Sequence, residues 1–429
     1  MKVKEDKVKT EVKHKSSLKT KLSIIGPGIV LAATGIGSGD LITSTTAGAD
    51  FGITLAWAAI IGVCLKYILT EGVGRWTLAT GYTILEGWRM MGRWATGYFF
   101  VYVMLFGLIY GAAIATANGL MMNLMVPSIS VSIWAIIHSI IGFLLILLGK
   151  YKTFERVIVV LISIMFITVV GSAIMLIPGL ANVPAKALIP GIPDGSLFRT
   201  LGIVGGIGGT MALAAYGYWI KEKGWHDKFY IPLMRMDVSV AYIMTGIFAV
   251  SLMVISAQFL YGSEIEITDT KGLEGFLYLY QTNFGLVPRL ILNIGFWSAT
   301  MSSLLGSWSG IPYLFADFIR VSKKKIQSKT IKRNTSTERK VSYKDPAYRF
   351  FLFWLSFPSL ILLTVNQPVA LILFYAALGS LFLPFLAITL LYLLNSKHID
   401  DAFKNNIFHN STLVFVIIVF LILGVIEVL

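Results

Sequence analysis

The chain has 429 residues, 56% of them apolar and 14% charged, with a mean hydropathy of +0.76. A water-soluble domain carries about 25% charged residues and cannot hide this much apolar surface, so the composition excludes one and points to lipid as the solvent. The net charge of +14 would suit nucleic acid, but the lysines and arginines fall between hydrophobic blocks, where membrane topology needs them. Nucleic acid is therefore not expected as a partner; membrane lipid is. A single cysteine, Cys64, sits in an apolar run, which rules out a disulfide framework or a Cys-rich metal site.

In chain order, residues 1–21 read as a basic cytosolic tail without a signal-peptide cleavage site. Eleven hydrophobic spans follow at roughly 20 residues each. They are Leu22–Thr46, Ile53–Trp76, Tyr98–Met122, Val131–Leu148, Val157–Ile177, Thr200–Ile220, Val238–Leu260, Leu286–Ile311, Phe350–Val365, Pro368–Leu394 and Thr412–Val428. With the N-terminus inside, the loops that should be cytosolic carry Arg75, Arg89 and Arg93, then Lys150, Lys152 and Arg156, then Lys221, Lys223, Lys228 and Arg235. A basic loop over residues 322–344, expected to be disordered beside anionic headgroups, continues the series, as do Lys397 and Lys404. The opposite loops are uncharged or acidic, as in Ser263–Gly275. The positive-inside rule then gives a cytosolic N-terminus and an extracellular C-terminus in the cell membrane.

Two spans carry glycine clusters. The first contains Gly35-Ile36-Gly37-Ser38-Gly39-Asp40, and the sixth contains Gly205-Gly206-Ile207-Gly208-Gly209-Thr210. Each glycine weakens a helix by about 1 kcal/mol relative to alanine. Glycines also let membrane helices pack closely, but two clusters five spans apart point to broken helices and an inverted-repeat transporter with its site at the bilayer midplane.

The same residues carry a family resemblance. Gly26-Pro27-Gly28, Gly37-Ser38-Gly39-Asp40-Leu41, Thr45 to Gly52, Leu55-Ala56-Trp57, Ala79-Thr80-Gly81, Asp237 and Leu383-Pro384-Phe385 follow in order the frame of the NRAMP metal-ion transporters. The resemblance implies an all-α integral membrane protein with the LeuT-like fold. Residues 22–177 would form the first inverted repeat and 178–394 the second, with helices 1 and 6 broken, and residues 395–429 would add a loop and an eleventh helix.

The metal chemistry departs from the family pattern. Where the family has Asp-Pro-Gly-Asn, this chain has Gly37 at the Asp, Ser38 at the Pro and Asp40 at the Asn; its Met-Pro-His-Asn becomes Ala212-Leu213-Ala214-Ala215. Losing the thioether removes the soft ligand suited to late transition metals, whereas a hard cation accepts an all-oxygen shell. The family's proton-relay histidine after the span-six break becomes Trp219, and span three has no Asp, Glu or His between Tyr98 and Met122, so coupling to protons is not expected. His138, alone in span four, reads as a packed residue.

The expected substrate-binding residues are Gly37, Ser38, Gly39, Asp40, Thr43, Gly209, Thr210, Ala212, Ala215 and Tyr216, with Asp40 as the metal ligand. Asp40 could equally cap its half-helix. Lys66, in mid-span, either snorkels or pairs with Glu71 or another acid, or acts as a fixed internal cation standing in for a coupling ion near Asp40. Tyr216, Tyr218 and Trp219 are packing aromatics or the wall of a cavity for an amine.

The leading expectation is thus a secondary transporter moving a cation, by family default a divalent metal, through a harder site and without proton coupling. The alternatives are a same-fold transporter of a small organic solute, an amino acid or amine, and a non-transporting receptor-like relative. No nucleophile–base pair, histidine cluster or phosphate-binding loop supports an enzyme, and no cofactor is expected.

Overall fold

The computed structural model describes residues 26–149, 151–182, 189–263, 265, 267, 270–323, 341–365 and 367–428. The basic tail, most of the 322–344 loop and the acidic residues Glu264, Glu266 and Asp269 lie outside them. The described residues are helical and contain no strand.

Among the described residues eight helices are long and apolar enough to cross a membrane, from Ala56–Thr80 to Pro346–Thr364. They coincide with expected spans two to nine. Spans one and ten escape a test of length because each is divided, and span eleven is the shorter apolar helix Ile407–Ile422.

Span one comprises α1 (Pro27–Gly35) and α2 (Ser38–Phe51). Proline at the head of α1 costs nothing, since the first amides of a helix have no intrahelical partner. Span two is α3 (Ala56–Thr80), ended by Gly81 in the left-handed conformation at φ 75°. There follows α4 (Ile84–Met91), a short helix set by the reciprocal Thr83–Glu86 capping box. Spans three and four are α5 (Arg93–Asn123) and α6 (Val131–Leu148), the latter capped by Ser130. Span five runs through α7 (Tyr151–Met165), a π-turn at Phe166–Val170 and α8 (Gly171–Leu176). Span six is α9 (Leu197–Gly206) and α10 (Met211–Glu222).

Span seven is α11 (Ile231–Leu260), then comes α12 (Thr270–Phe284), and span eight is α13 (Leu286–Lys323). The helix α12 was not expected from the sequence; its polar residues lower its hydropathy below that of a span, and it lies in the loop between spans seven and eight. Span nine is α14 (Pro346–Ser356) continued as a 3-10 segment to Val365. Span ten, read from the sequence as continuous, is α15 (Pro368–Ser380) and α16 (Phe382–Leu393). Pro384 explains the division: it has no amide to offer the carbonyl four residues earlier, and its ring crowds that carbonyl. Tyrosines of α5 serve the loosened turn. Tyr98 Oη donates to Leu381 O at 3.0 Å and Tyr102 Oη to Leu378 O at 3.3 Å. Span eleven is α17 (Ile407–Val428), which takes His409, expected in a loop, into its first turn.

The core gathers around α2, α5, α10, α11 and α13, with fully buried Trp76, Trp88, Trp219 and Trp308 among its largest side chains. By contrast α6 turns isoleucines and leucines outward, including Ile133, Ile140 and Leu148, as a helix bathed in lipid should. His138 is a packed residue: its Nδ1 meets Trp134 O at 2.7 Å, and Trp297 Nε1 donates to its Nε2 at 2.9 Å.

Candidate functional site

The two glycine clusters are breaks, and they touch. Helix α1 stops at Gly35 and α2 begins at Ser38, with Ile36 and Gly37 extended between them. In span six, Gly208 and Gly209 have φ of +89° and +69°, a conformation that L side chains avoid and glycine adopts freely. The breaks cross backbone to backbone. A Cβ added at Gly35 would fall 2.8 Å from Gly208 O, and one at Gly209 would fall 3.0 Å from Gly35 Cα.

Asp40 ties the breaks together. It is buried in the first turn of α2. Its Oδ2 accepts from Gly37 N–H at 3.2 Å and its Oδ1 from Gly208 N–H at 2.7 Å. Both readings of Asp40 therefore coexist: the carboxylate caps its own half-helix, and it also lines a cavity.

That cavity, about 30 Å³, is bounded by α1, α2, α5, α9, α10, α13 and α15. Its polar surface comes from Asp40, Thr34, Thr210, Tyr110, Ser303 and Ser307, with Tyr375 alongside. Tyr110 Oη lies 2.6 Å from Ser307 Oγ and 3.3 Å from Ser303 Oγ. Ser303 Oγ donates to Thr34 O at 2.9 Å and Ser302 Oγ to Ala33 O at 3.2 Å, so α13 satisfies the carbonyls at the loose end of α1. Ser38 Oγ and Tyr375 Oη are 3.4 Å apart.

Of the expected binding residues, Asp40, Gly209, Thr210 and Ala212 line the cavity. Gly37 and Gly39 lie at its edge, facing Ser303 and Tyr375, and Thr43 packs beside Gly206. Two expectations are corrected, Ala215 and Tyr216, and Trp219 takes the packing role that its sequence also allowed. Only the first turn of α10 faces the cavity, so Ala215 and Trp219 pack instead on Gly310 of α13, and Tyr216 turns to α11, where its Oη donates to Asp237 Oδ2 at 2.9 Å. Sequence reading missed Tyr110, Ser303, Ser307 and Tyr375. The spacing of Ser303 and Ser307, four apart, groups those two on one helical face but does not say which way that face turns. Among the described residues no group of three or more His, Cys, Asp or Glu could hold a metal ion, so a cation here would rely on Asp40 with hydroxyl and carbonyl oxygens and the thioether of Met211, which also lines the cavity. A larger hollow, about 230 Å³ beside Thr116, Ser132, Thr270 and Gln367, has no ionisable side chain in its wall.

Lys66 neither snorkels nor pairs with Glu71. Five residues at ~100° each put the two on different faces of α3. Glu71 instead receives Arg75 Nε at 3.1 Å and Arg235 Nε at 2.9 Å. Lys66 is 1% exposed, its aliphatic stem lies against Gly208, and its ammonium interacts electrostatically with Asp40.

Polar contacts also gather at the start of α1 and the end of α10. The start of α1 at Gly26 abuts an ion pair, Lys223 Nζ to Glu155 Oε1 at 2.9 Å, and Gly28 packs on Asp237. Nearby, Tyr218 Oη donates to Asp317 Oδ2 at 2.7 Å, and Arg320 bridges Asp317 at 2.6 Å and Glu86 at 2.9 Å.

Residues 28–429 match the family described as Natural resistance-associated macrophage protein-like, Nramp. An uncharacterized protein of Pasteurella multocida, PM0681, is 26% identical over 298 residues, 67% of this chain and 66% of that one, so the match spans about two thirds of the relative's length. The divalent metal cation transporter MntH of Mycobacterium tuberculosis is 22% identical over 69% of this chain and 71% of its own. In three dimensions the chain is similar to the Eremococcus coleocola manganese transporter, with a TM-score of 0.79 at 16% identity, covering 96% of this chain and 87% of that one. Structural likeness extends to other transporters of the LeuT-like fold. With broken helices 1 and 6 crossing at a buried carboxylate and the family match running over nearly its whole length, this multi-pass membrane chain belongs to the Nramp family.

Proposed function

We propose that the chain is a secondary transporter that carries a small, hard cation by alternating access, with Asp40 as the charged ligand and no coupled proton. The observation that carries this reading is the meeting of both helix breaks on one carboxylate in a cavity of about 30 Å³. On the same measure one water needs ~10–15 Å³, so the space suits a largely dehydrated ion and is too small for an amino acid. The donors at hand are oxygens together with the thioether of Met211. Ala212 stands at the cavity where the family pattern has a methionine, and hard cations accept a shell of oxygens.

The MntH relative and the Eremococcus protein are named as metal transporters, which supports a divalent cation as cargo. In this reading the two repeats, residues 22–177 and 178–394, rock about the crossing of the breaks. The protein lies in the cell membrane with its N-terminus in the cytosol and its C-terminus outside.

A second reading, a small organic solute bearing a carboxylate, is favoured by the amino end of α10 facing the cavity and by the Lys66 ammonium beyond Gly208; a helix N-terminus attracts anions.

Uptake of manganese, magnesium and calcium into proteoliposomes, with and without a pH gradient, tests the proposal. The expected result is cation uptake that is indifferent to the gradient and lost in Asp40→Ala. Proton flux accompanying the cation would refute the uncoupled cycle. Thermal stabilisation by amino acids or amines alone would replace the cation with an organic cargo, and no response to either class would favour a non-transporting relative.

A further inference from the structure

Lys66 is a buried cation that the cation-carrying reading leaves without a task. Its side chain is 1% exposed, and its Nζ has no hydrogen-bond partner among the described residues. An ammonium held out of water must find compensating charge or hydrogen bonds. Glu71, the acid nearest in sequence, is taken by Arg75 and Arg235.

The neighbourhood of Gly208 names the compensating group. A Cβ added there would lie 3.4 Å from Lys66 Cδ, with Tyr242 and Thr245 of α11 at the same distance. Tyr242 itself is engaged, its Oη 2.7 Å from Thr70 Oγ1. The amide of the same glycine donates to Asp40 Oδ1 at 2.7 Å. Lys66 thus reaches the break in helix 6 from α3, Asp40 reaches it from α2, and each charge feels the other. Asp40 lines the cavity; Lys66 does not.

We propose that Lys66 is a tethered counter-cation for Asp40, standing behind the helix-6 break, which neutralises the empty site so that the unloaded carrier can reorient without an exchange ion. This rests on the reading of Asp40 as the cargo ligand of an alternating-access carrier. A carrier whose empty site is a bare carboxylate must move a lone charge through a low-dielectric interior, and this is what obliges many carriers to return loaded. With a lysine fixed beside the carboxylate, the empty site carries no net charge. A cargo cation then enters from the cavity side, while the lysine stays on the other side of Gly208.

The test needs no cargo. Spin labels at the start of α1 and the end of α10 report the cytosolic mouth of the full-length protein in liposomes free of divalent ions. The wild type is expected to populate two distances. Lys66→Met is expected to collapse to one, and Lys66→Met combined with Asp40→Asn to recover both. In thermal unfolding each single variant is expected to lose more stability than the pair together, because each single variant leaves one charge alone. A Lys66→Met protein that samples both distances as the wild type does, or stability losses that simply add, would overturn the inference alone. A wild type fixed at one distance would sink the alternating-access reading, and the inference with it.

Discussion

Asp40 on α2 accepts a 2.7 Å hydrogen bond from the amide of Gly208, so a single carboxylate joins the broken helix of the first half of the chain to that of the second. Its other oxygen is held by Gly37. Anything that binds Asp40 strongly must therefore disturb both breaks, which is how a small ion could drive a large rearrangement.

Asp40→Asn keeps the shape and removes the charge. Manganese or magnesium uptake should fall at least tenfold, equivalent to ~1.4 kcal/mol of lost binding, while the protein still folds. Asp40→Ala should in addition orphan two buried amides, at ~1–3 kcal/mol each. Uptake assays paired with thermal unfolding separate the two effects.

Gly35→Ala should be more damaging than Gly208→Ala, because its Cβ would meet the backbone of Gly208 at 2.8 Å and no flexible side chain can give way. Gly208→Ala faces only ordinary contacts at 3.4 Å, so its cost should be the left-handed backbone alone, ~1–2 kcal/mol. Melting temperatures should rank them in that order.

Two tyrosines separate structure from transport. Tyr216→Phe removes the hydroxyl that donates to Asp237 Oδ2 and should cost stability, ~1.5–3 kcal/mol for a hydrogen bond to a charged group, with cargo affinity unchanged. Tyr110→Phe frees Ser303 and Ser307 at the cavity wall and should change cargo affinity more than stability. Titration of each variant with manganese and magnesium, alongside its thermal melt, checks the split.

The Glu155–Lys223 pair is about one-fifth exposed on each side, so breaking it should alter stability by no more than ~1 kcal/mol. Its effect should fall on the mouth: Lys223→Ala should raise the labelling rate of a cysteine introduced at the partly exposed Ile29. An unchanged rate would remove this pair from the gate.

The spans and both breaks in helices 1 and 6 were legible because hydropathy and glycine act locally. The division of span ten was written in Pro384 but masked by its apolar neighbours, since one missing amide barely alters hydropathy. The serine and tyrosine wall was hidden for a different reason. Serine in a membrane helix often bonds its own preceding turn, as Ser356 and Ser359 do here, so Ser303 and Ser307 gave no sign of facing a cavity. Ala215 and Tyr216 were misplaced because turns past the first of α10 leave the site, a matter of helix rotation that the glycine pattern does not encode. Lys66 was visible as an anomaly, yet its partner is reached only through the fold.

The contact of Gly35 with Gly208 and Gly209 has a consequence for how such a carrier could diversify. Under the proposed function, where two main chains rest on each other without side chains the pivot and the seat of the cargo would be one spot, and substitution there would jam the motion before it could alter selectivity. Changes of preference must then arise on the surrounding wall, at Tyr110, Ser303, Ser307 and Tyr375, where hydroxyls can be exchanged while the hinge is left intact.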